Sequence, residues 1–342
     1  MITALTYDDV LLVPKYSEIS SRKEIDIGND LDDCIRLELP VIASPMDTIC
    51  GPEMAAALSR SGGLGVIHRY NSIREQANMV SYARDILQQK QERCLIGAAV
   101  GVTGDYMLRT TALVTHGAEV ICIDVAHGDH LMMKEALTDL KHEFGNSVHF
   151  MAGNVATADA YKRLCDWGAD SVRVGIGGGS ICSTRIQTGH GVPNIEAIRE
   201  CALVEYDIPI VADGGIKTSG DAVKALAVGA DFVMVGSLLA GTTETPGDIV
   251  GIDGVKYKAY RGMASAEAQT EWRGDYSFAE GISTRVPYVG DVDAVLATIK
   301  GGVLSGFSYS GARNIQELWL KSEFIRQTGA GQLESSTHIL NK

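Results

Sequence analysis

The sequence predicts an α/β fold, a (β/α)8 TIM barrel built as a single domain. Three observations predict it. Eight short apolar runs of strand length recur between residues 40 and 237. Segments of helical character separate them. A Gly-Ala-acid tripeptide recurs where helix gives way to strand. Continuous apolar runs suit strands buried on both faces of a parallel sheet. Strand–helix alternation implies βαβ units.

The apolar runs are 41–44, 64–68, 95–100, 120–125, 148–154, 171–175, 208–213 and 232–236. Helical segments include 52–60, 73–89, 129–144, 158–167, 195–204 and 219–228. Gly117-Ala118-Glu119, Gly168-Ala169-Asp170 and Gly229-Ala230-Asp231 each put glycine just past a helix, where left-handed backbone is wanted. Eight such units close into a barrel more readily than they form the competing doubly wound open sheet. Past residue 240 the alternation stops. The stretches 251–260 and 270–284 are polar and Gly-rich. So long an unpatterned region reads as an active-site flap, about 264–287, or an oligomer arm. The tail 328–342 has little apolar content and is expected to be disordered or docked on a neighbour.

The chain has 342 residues, 45% apolar and 21% charged, which is ordinary for a globular protein with a large core. A net charge of −13 makes nucleic acid a poor partner, because an acidic surface repels phosphate backbones. No run reaches the roughly 18 apolar residues of a membrane span, and the N-terminus shows no signal-peptide pattern. The seven cysteines are scattered and odd in number, with no CxxC pair. They argue for a reducing compartment, so a cytoplasmic location is expected.

Barrel active sites sit at the C-terminal ends of the strands. That rim would carry Ser44, His68, Asp124, Asn154, Gly175, Asp213 and Gly236. Any one of these also serves to cap a helix or close a turn; the set points to a site. The loops after the seventh and eighth strands, Asp213-Gly214-Gly215-Ile216 and Gly236-Ser237, suit a phosphorylated ligand held by backbone amides. The loop after the sixth reads Gly175-Ile176-Gly177-Gly178-Gly179-Ser180-Ile181-Cys182-Ser183-Thr184-Arg185. Its glycines expose amides and carbonyls able to bind an anion or a cation. It places Cys182 on the rim beside Thr184 and Arg185. A nearby cation and loop amides favour the thiolate, which is the nucleophile. The competing reading is a buried structural cysteine.

Here the chain resembles the family of inosine monophosphate (IMP) dehydrogenases and guanosine monophosphate (GMP) reductases. The resemblance covers nearly the whole chain. It runs through Tyr7-Asp8-Asp9-Val10-Leu11-Leu12-Val13-Pro14, Ser44-Pro45-Met46-Asp47-Thr48, Asp124-Val125-Ala126-His127-Gly128 and Ala152-Gly153-Asn154-Val155. It continues through the Cys182 loop, Ala212-Asp213-Gly214-Gly215-Ile216, Gly236-Ser237-Leu238-Leu239-Ala240-Gly241 and Tyr260-Arg261-Gly262-Met263. One departure is Gly178, where the family usually has Pro. The resemblance implies that Cys182 attacks C2 of the purine and forms a covalent adduct. Asp213 would hold the ribose hydroxyls. Ser180, Gly215, Gly236, Ser237 and Tyr260 would hold the phosphate. Gly262, Met263 and Ala264 would meet the base edge, with Ser44, Met46 and Gly214 in the same substrate site. Asp124, Asn154 and Gly175 would face the nicotinamide cofactor. The carbonyls of Gly177, Gly179 and Cys182 would bind a monovalent cation, K+. The resemblance also implies a homotetramer, with octamers a further step, and Glu334, Ser335 and Ser336 would complete a neighbour's cation site. Family dehydrogenases usually carry a CBS-type regulatory insertion after the second helix. Here residues 84–93 pass directly to 94–100, so that module is not expected.

Two reaction directions share the Cys adduct. The dehydrogenase hydrolyses it with water activated by a flap Arg-Tyr pair. The reductase expels ammonia from GMP and takes hydride from NADPH, using a Thr and a Glu. This chain has Thr184 and Glu280, which dehydrogenases also carry; its flap is short, and Asp275 rather than Arg precedes Tyr276. These points favour NADPH-dependent reduction of GMP. Gly241-Thr242, Arg285-Val286-Pro287 and the 324–331 segment lean towards an NAD-dependent IMP dehydrogenase. A nucleotide-binding sensor or partner subunit with an inactive flap is the reading from another class; intact Cys182, Thr184 and Glu280 argue against it.

Overall fold

The computed structural model describes residues 3–276, 278–335 and 337. Eight parallel strands close into a barrel: β1 Val41–Ala43, β2 Leu64–Ile67, β3 Ile96–Val100, β4 Val120–Asp124, β5 His149–Val155, β6 Ser171–Val174, β7 Ile210–Asp213 and β8 Phe232–Val235. Closure sets Val233, Met234 and Val235 of β8 against Val41, Ile42 and Ala43 of β1. The strands lie in the apolar runs of the sequence because both of their faces are buried, one on the barrel interior and one under the helices.

Helices Pro52–Arg60, Ile73–Gln88, Tyr106–Thr115, Leu131–Phe144, Ala158–Asp166, Asn194–Ala202 and Ser219–Ala227 follow β1 to β7. The recurring glycines Gly117, Gly168 and Gly229 have φ of 98°, 99° and 121°, a conformation that L side chains resist. Tyr106–Thr115 was not among the segments read from the sequence. Its inward face buries Arg109 and Thr110 beside Leu113, which breaks the apolar stripe. Residues 89–95 alone join the second helix to β3.

The alternation does not end after β8, contrary to the sequence reading. The chain leaves the barrel for residues 242–290 and returns as Val292–Ser310, which packs against Ser219–Ala227 and Pro52–Arg60 as the eighth helix. Gly301, Gly302 and Gly306 lower its helical signal. Packing requires two of them: a Cβ on Gly302 would lie 2.1 Å from Ser219 Oγ, and one on Gly306 2.6 Å from Val223. The excursion holds a three-stranded antiparallel sheet, Val250–Ile252, Val255–Arg261 and Ser283–Pro287, and a flap helix, Ala266–Arg273.

The opposite end of the barrel is closed by a small hairpin, Asn29–Asp30 with Arg36–Leu37. It drives Leu31 and Leu37 into the interior against Ile42, Val66, Met151 and Phe232. The described part of the tail and the segment before it fold back on their own chain. Phe324–Arg326 pairs with Val10–Leu12, and the helix Gly329–Glu334 lies against the Tyr7–Asp9 turn. Ser336 and residues 338–342 lie outside the described residues.

Candidate active site

A cavity of about 210 Å3 opens at the C-terminal ends of β6, β7 and β8. Its wall gathers most of the residues singled out in the sequence: Ser44, Met46, Gly179, Ser180, Cys182, Thr184, Asp213, Gly214, Gly215, Gly236, Ser237, Tyr260, Gly262, Met263, Ala264 and Glu280. Ala126, Ile181, Ile216, Met234, Val235 and Gly281 also line it and were not foreseen. They are apolar or small and carry no sequence signal beyond their strands.

Cys182 is half-buried, and its thiol donates to the Thr184 hydroxyl at 3.1 Å. The flap's return strand is tied to this loop. Ser183 N donates to Glu280 O at 2.9 Å, and Ile282 N to Ile181 O at 3.0 Å. That pairing carries Glu280 into the same cavity as the thiol. Arg185 turns away and donates to the carbonyls of Ile176 and Val192, so it braces the loop and does not line the cavity. At the far end, the Tyr260 hydroxyl meets Ser180 Oγ at 3.1 Å. Burial raises the pKa of Tyr260, so it stays a neutral hydrogen-bonding group.

A row of charge runs along the rim. Arg173, nearly fully buried on β6, donates to Asp124 at 2.7 Å and to Asp213 at 2.8 Å. Asn154 Nδ2 donates to the same Asp213 oxygen at 2.8 Å and to Gly175 O at 2.8 Å. Burial alone would raise the Asp124 pKa; the guanidiniums of Arg173 and Arg69 outweigh it and hold the carboxyl below its ordinary range. Asp124, Asn154 and Gly175 therefore sit beside the cavity in one network and not in its wall. Arg173 was missed by sequence reasoning. Its signal is a lone charge inside a barrel strand, which must find buried carboxylates.

Gly177, Gly179 and Cys182 belong to one loop, in which Gly177 has φ 75° and Cys182 N donates to Gly179 O at 3.1 Å, closing a turn over 179–182. Neutral oxygens are the donor set that a hard monovalent cation takes. Among the described residues no group of three or more His, Cys, Asp or Glu is placed to hold a metal, and no helix is long and apolar enough to cross a membrane.

The flap helix covers one side of the rim. Arg261 donates to Asp47 and to Glu271, and Trp272 stacks on Tyr70 with centroids 5.7 Å apart. Arg273, Asp275 and Tyr276 do not line the cavity. A larger groove of about 1070 Å3 lies at the other end of the barrel. It is lined by Asp30, Asp32, Asp170 and Asp231, and it lies away from the strand ends where barrels place their chemistry.

The IMP dehydrogenase / GMP reductase domain model matches residues 4–338. The chain is 38% identical to an inosine-5'-monophosphate dehydrogenase of Cryptosporidium parvum, covering 98% of this chain and 94% of that one. It is 31% identical to a GMP reductase of Leishmania donovani, covering 99% and 97%. The crystal structure of a Cys-to-Ala variant of GMP reductase from Trypanosoma brucei, in complex with guanosine 5'-monophosphate, superposes with a TM-score of 0.93 at 31% identity, covering 99% and 98%. The Leishmania alignment runs over 478 positions against 342 residues here, so inserted length does not separate the two branches. The barrel, the cavity and these similarities together establish that the chain belongs to the IMP dehydrogenase/GMP reductase family of NAD(P)-dependent purine nucleotide oxidoreductases.

Proposed function

We propose that the protein is a GMP reductase, converting GMP to IMP and ammonia with NADPH. One observation carries this reading. Among the described residues, the cavity around Cys182 contains Thr184 and Glu280 but no Arg, Lys or His to activate water. Cys182 adds to C2 of the purine, and the exocyclic amine departs as ammonia with a proton from Glu280. NADPH supplies the hydride that C2 then receives. Release of IMP regenerates the thiolate. The chain's other residues bind and orient. The loop amides of Gly215, Gly236 and Ser237, with Ser180 and Tyr260, take the phosphate; Asp213, fixed by Arg173 and Asn154, takes the ribose hydroxyls. Gly262, Met263 and Ala264, with Ser44, Met46 and Gly214, frame the base. Asp124, Asn154 and Gly175 would face the cofactor, and the carbonyls of Gly177, Gly179 and Cys182 would hold K+. The chain acts as one catalytic domain, in the cytoplasm, as a homotetramer.

The second reading, NAD-dependent oxidation of IMP, is favoured by the higher identity to the Cryptosporidium dehydrogenase than to the Leishmania reductase. The test is NADPH absorbance on mixing with GMP, with ammonia assayed in parallel. Matched NADPH loss and ammonia release are expected, both abolished in Cys182→Ala. NADH formation from IMP and NAD, with neither change on GMP, overturns the reductase reading in favour of the second.

A further inference from the structure

The loop that carries Cys182 contacts the loop after β7 backbone to backbone. A Cβ on Gly214 would lie 3.1 Å from Gly179 N and 3.3 Å from the Gly178 carbonyl carbon. One side chain bridges the two loops from behind. Asn194, the first residue of helix Asn194–Ala202 and 2% exposed, points its amide nitrogen at two carbonyls. Nδ2 donates to Gly214 O at 2.5 Å and to Asp213 O at 3.3 Å. The rest of the carboxamide fills the space over Gly178. A Cβ there would lie 2.7 Å from Asn194 Oδ1 and 2.8 Å from Nδ2. No side chain fits at 178 while Asn194 holds this position, and neither does the Pro that the resemblance leads one to expect.

We propose that Asn194 is a positioning residue for the reaction, and that Gly178 exists to admit it. Glycine leaves the Cys182 loop with more conformations than any other residue would. Asn194 withdraws that freedom by tying the loop after β7 down and closing over Gly178. Nucleotide that settles on Gly214 and Gly215 then finds Cys182 already in register. The two positions form one coupled unit. This inference rests on the nucleotide reading of the cavity.

The experiment is a double-mutant cycle on the full-length protein. The variants are Gly178→Ala, Asn194→Ala, the double, and the isosteric Asn194→Asp, which removes both N–H donors. Two rates are read: steady-state turnover, and alkylation of Cys182 by iodoacetamide with and without GMP or IMP. Gly178→Ala should lower kcat/KM about tenfold, while in the Asn194→Ala background the same change should cost less than about twofold, because contacting residues are non-additive. Asn194→Ala should raise the nucleotide KM about tenfold with kcat nearly kept, and Asn194→Asp should do no better, since two carbonyls are left facing a carboxylate. Non-additive alkylation rates with the same pattern support the pair even if neither nucleotide is turned over, which would count against the proposed function alone. Additive costs, or a Gly178→Ala variant with wild-type turnover and alkylation, overturn the proposal.

Discussion

Ser171 and Cys182 lie off opposite ends of one strand, β6, and the contrast between them separates geometry from chemistry. Ser171 Oγ is 2.8 Å from His149 Nε2, and His149 Nδ1 is 2.7 Å from Asp32. This is the hydrogen-bond order of a Ser-His-Asp triad. Yet Ser171 is fully buried at the closed end of the barrel, where no substrate reaches it. The relay satisfies polar groups beneath the hairpin that plugs the barrel. Cys182 has a simpler partner, the Thr184 hydroxyl, but it faces a cavity shaped by three glycine-rich loops. Access and a place for the ligand, more than the connectivity of polar side chains, distinguish a working site.

The largest effect expected is at this contrast. Cys182→Ala should lower turnover by about 10^3-fold or more, and Ser171→Ala by less than about threefold. Steady-state kinetics on the two variants decide it, and a comparable loss in both would erase the distinction. The next test concerns Arg173, which holds two rim carboxylates at once. Arg173→Met should cost about 3–5 kcal/mol in urea unfolding, because the half-buried Asp124 and Asp213 lose the guanidinium that joins them, with only Arg69 left beside Asp124. Asp124 has a depressed pKa, so the stability it contributes is present above its unfolded pKa of about 3.9 and is lost as pH falls through the folded value. In Arg173→Met that acid-side loss should shrink; an unchanged acid limb would show that Arg173 is not its source.

Asp231, at the closed end, should behave in the opposite sense. Burial raises its pKa to about 6, against a hydrogen bond from Ile210 N. The folded state therefore holds the proton more tightly than the unfolded chain. The stability that Asp231 contributes is fullest below about pH 4, falls as pH rises through 6, and is flat beyond, a change of about 3 kcal/mol. Asp231→Asn should flatten that slope between pH 4 and 7 in thermal or urea unfolding, although it sacrifices one acceptor. An equally steep slope in the variant would place the titration elsewhere. The smallest effect is at the flap. Trp272→Ala removes the stack on Tyr70, worth about 1 kcal/mol, and should speed protease cleavage within 264–287 without lowering global stability. Unchanged cleavage would mean that Tyr70 does not hold the flap down.

The barrel was legible because its strands have two buried faces and three of its helices give way to glycines of positive φ, both local signatures. The Cys182 loop was legible because four glycines in five residues have no purpose in an ordinary turn. The eighth helix was obscured by Gly301, Gly302 and Gly306. Their value lies in letting that helix approach Ser219 and Val223, a contact distant in sequence. Arg185 looked like an activator of the thiol because it is three residues away, but folding turns it towards Ile176 and Val192.

By itself the sequence determined the fold class, the rim on which polar residues collect, and the candidate nucleophile, since each depends on residue type and short-range periodicity. Tertiary structure alone decided which of those residues share a cavity, that Arg173 joins Asp124 to Asp213, and that Asn194 closes over Gly178. These are contacts between loops of different strands. Their partners are chosen by barrel closure, a property of all eight strands together and of no one segment.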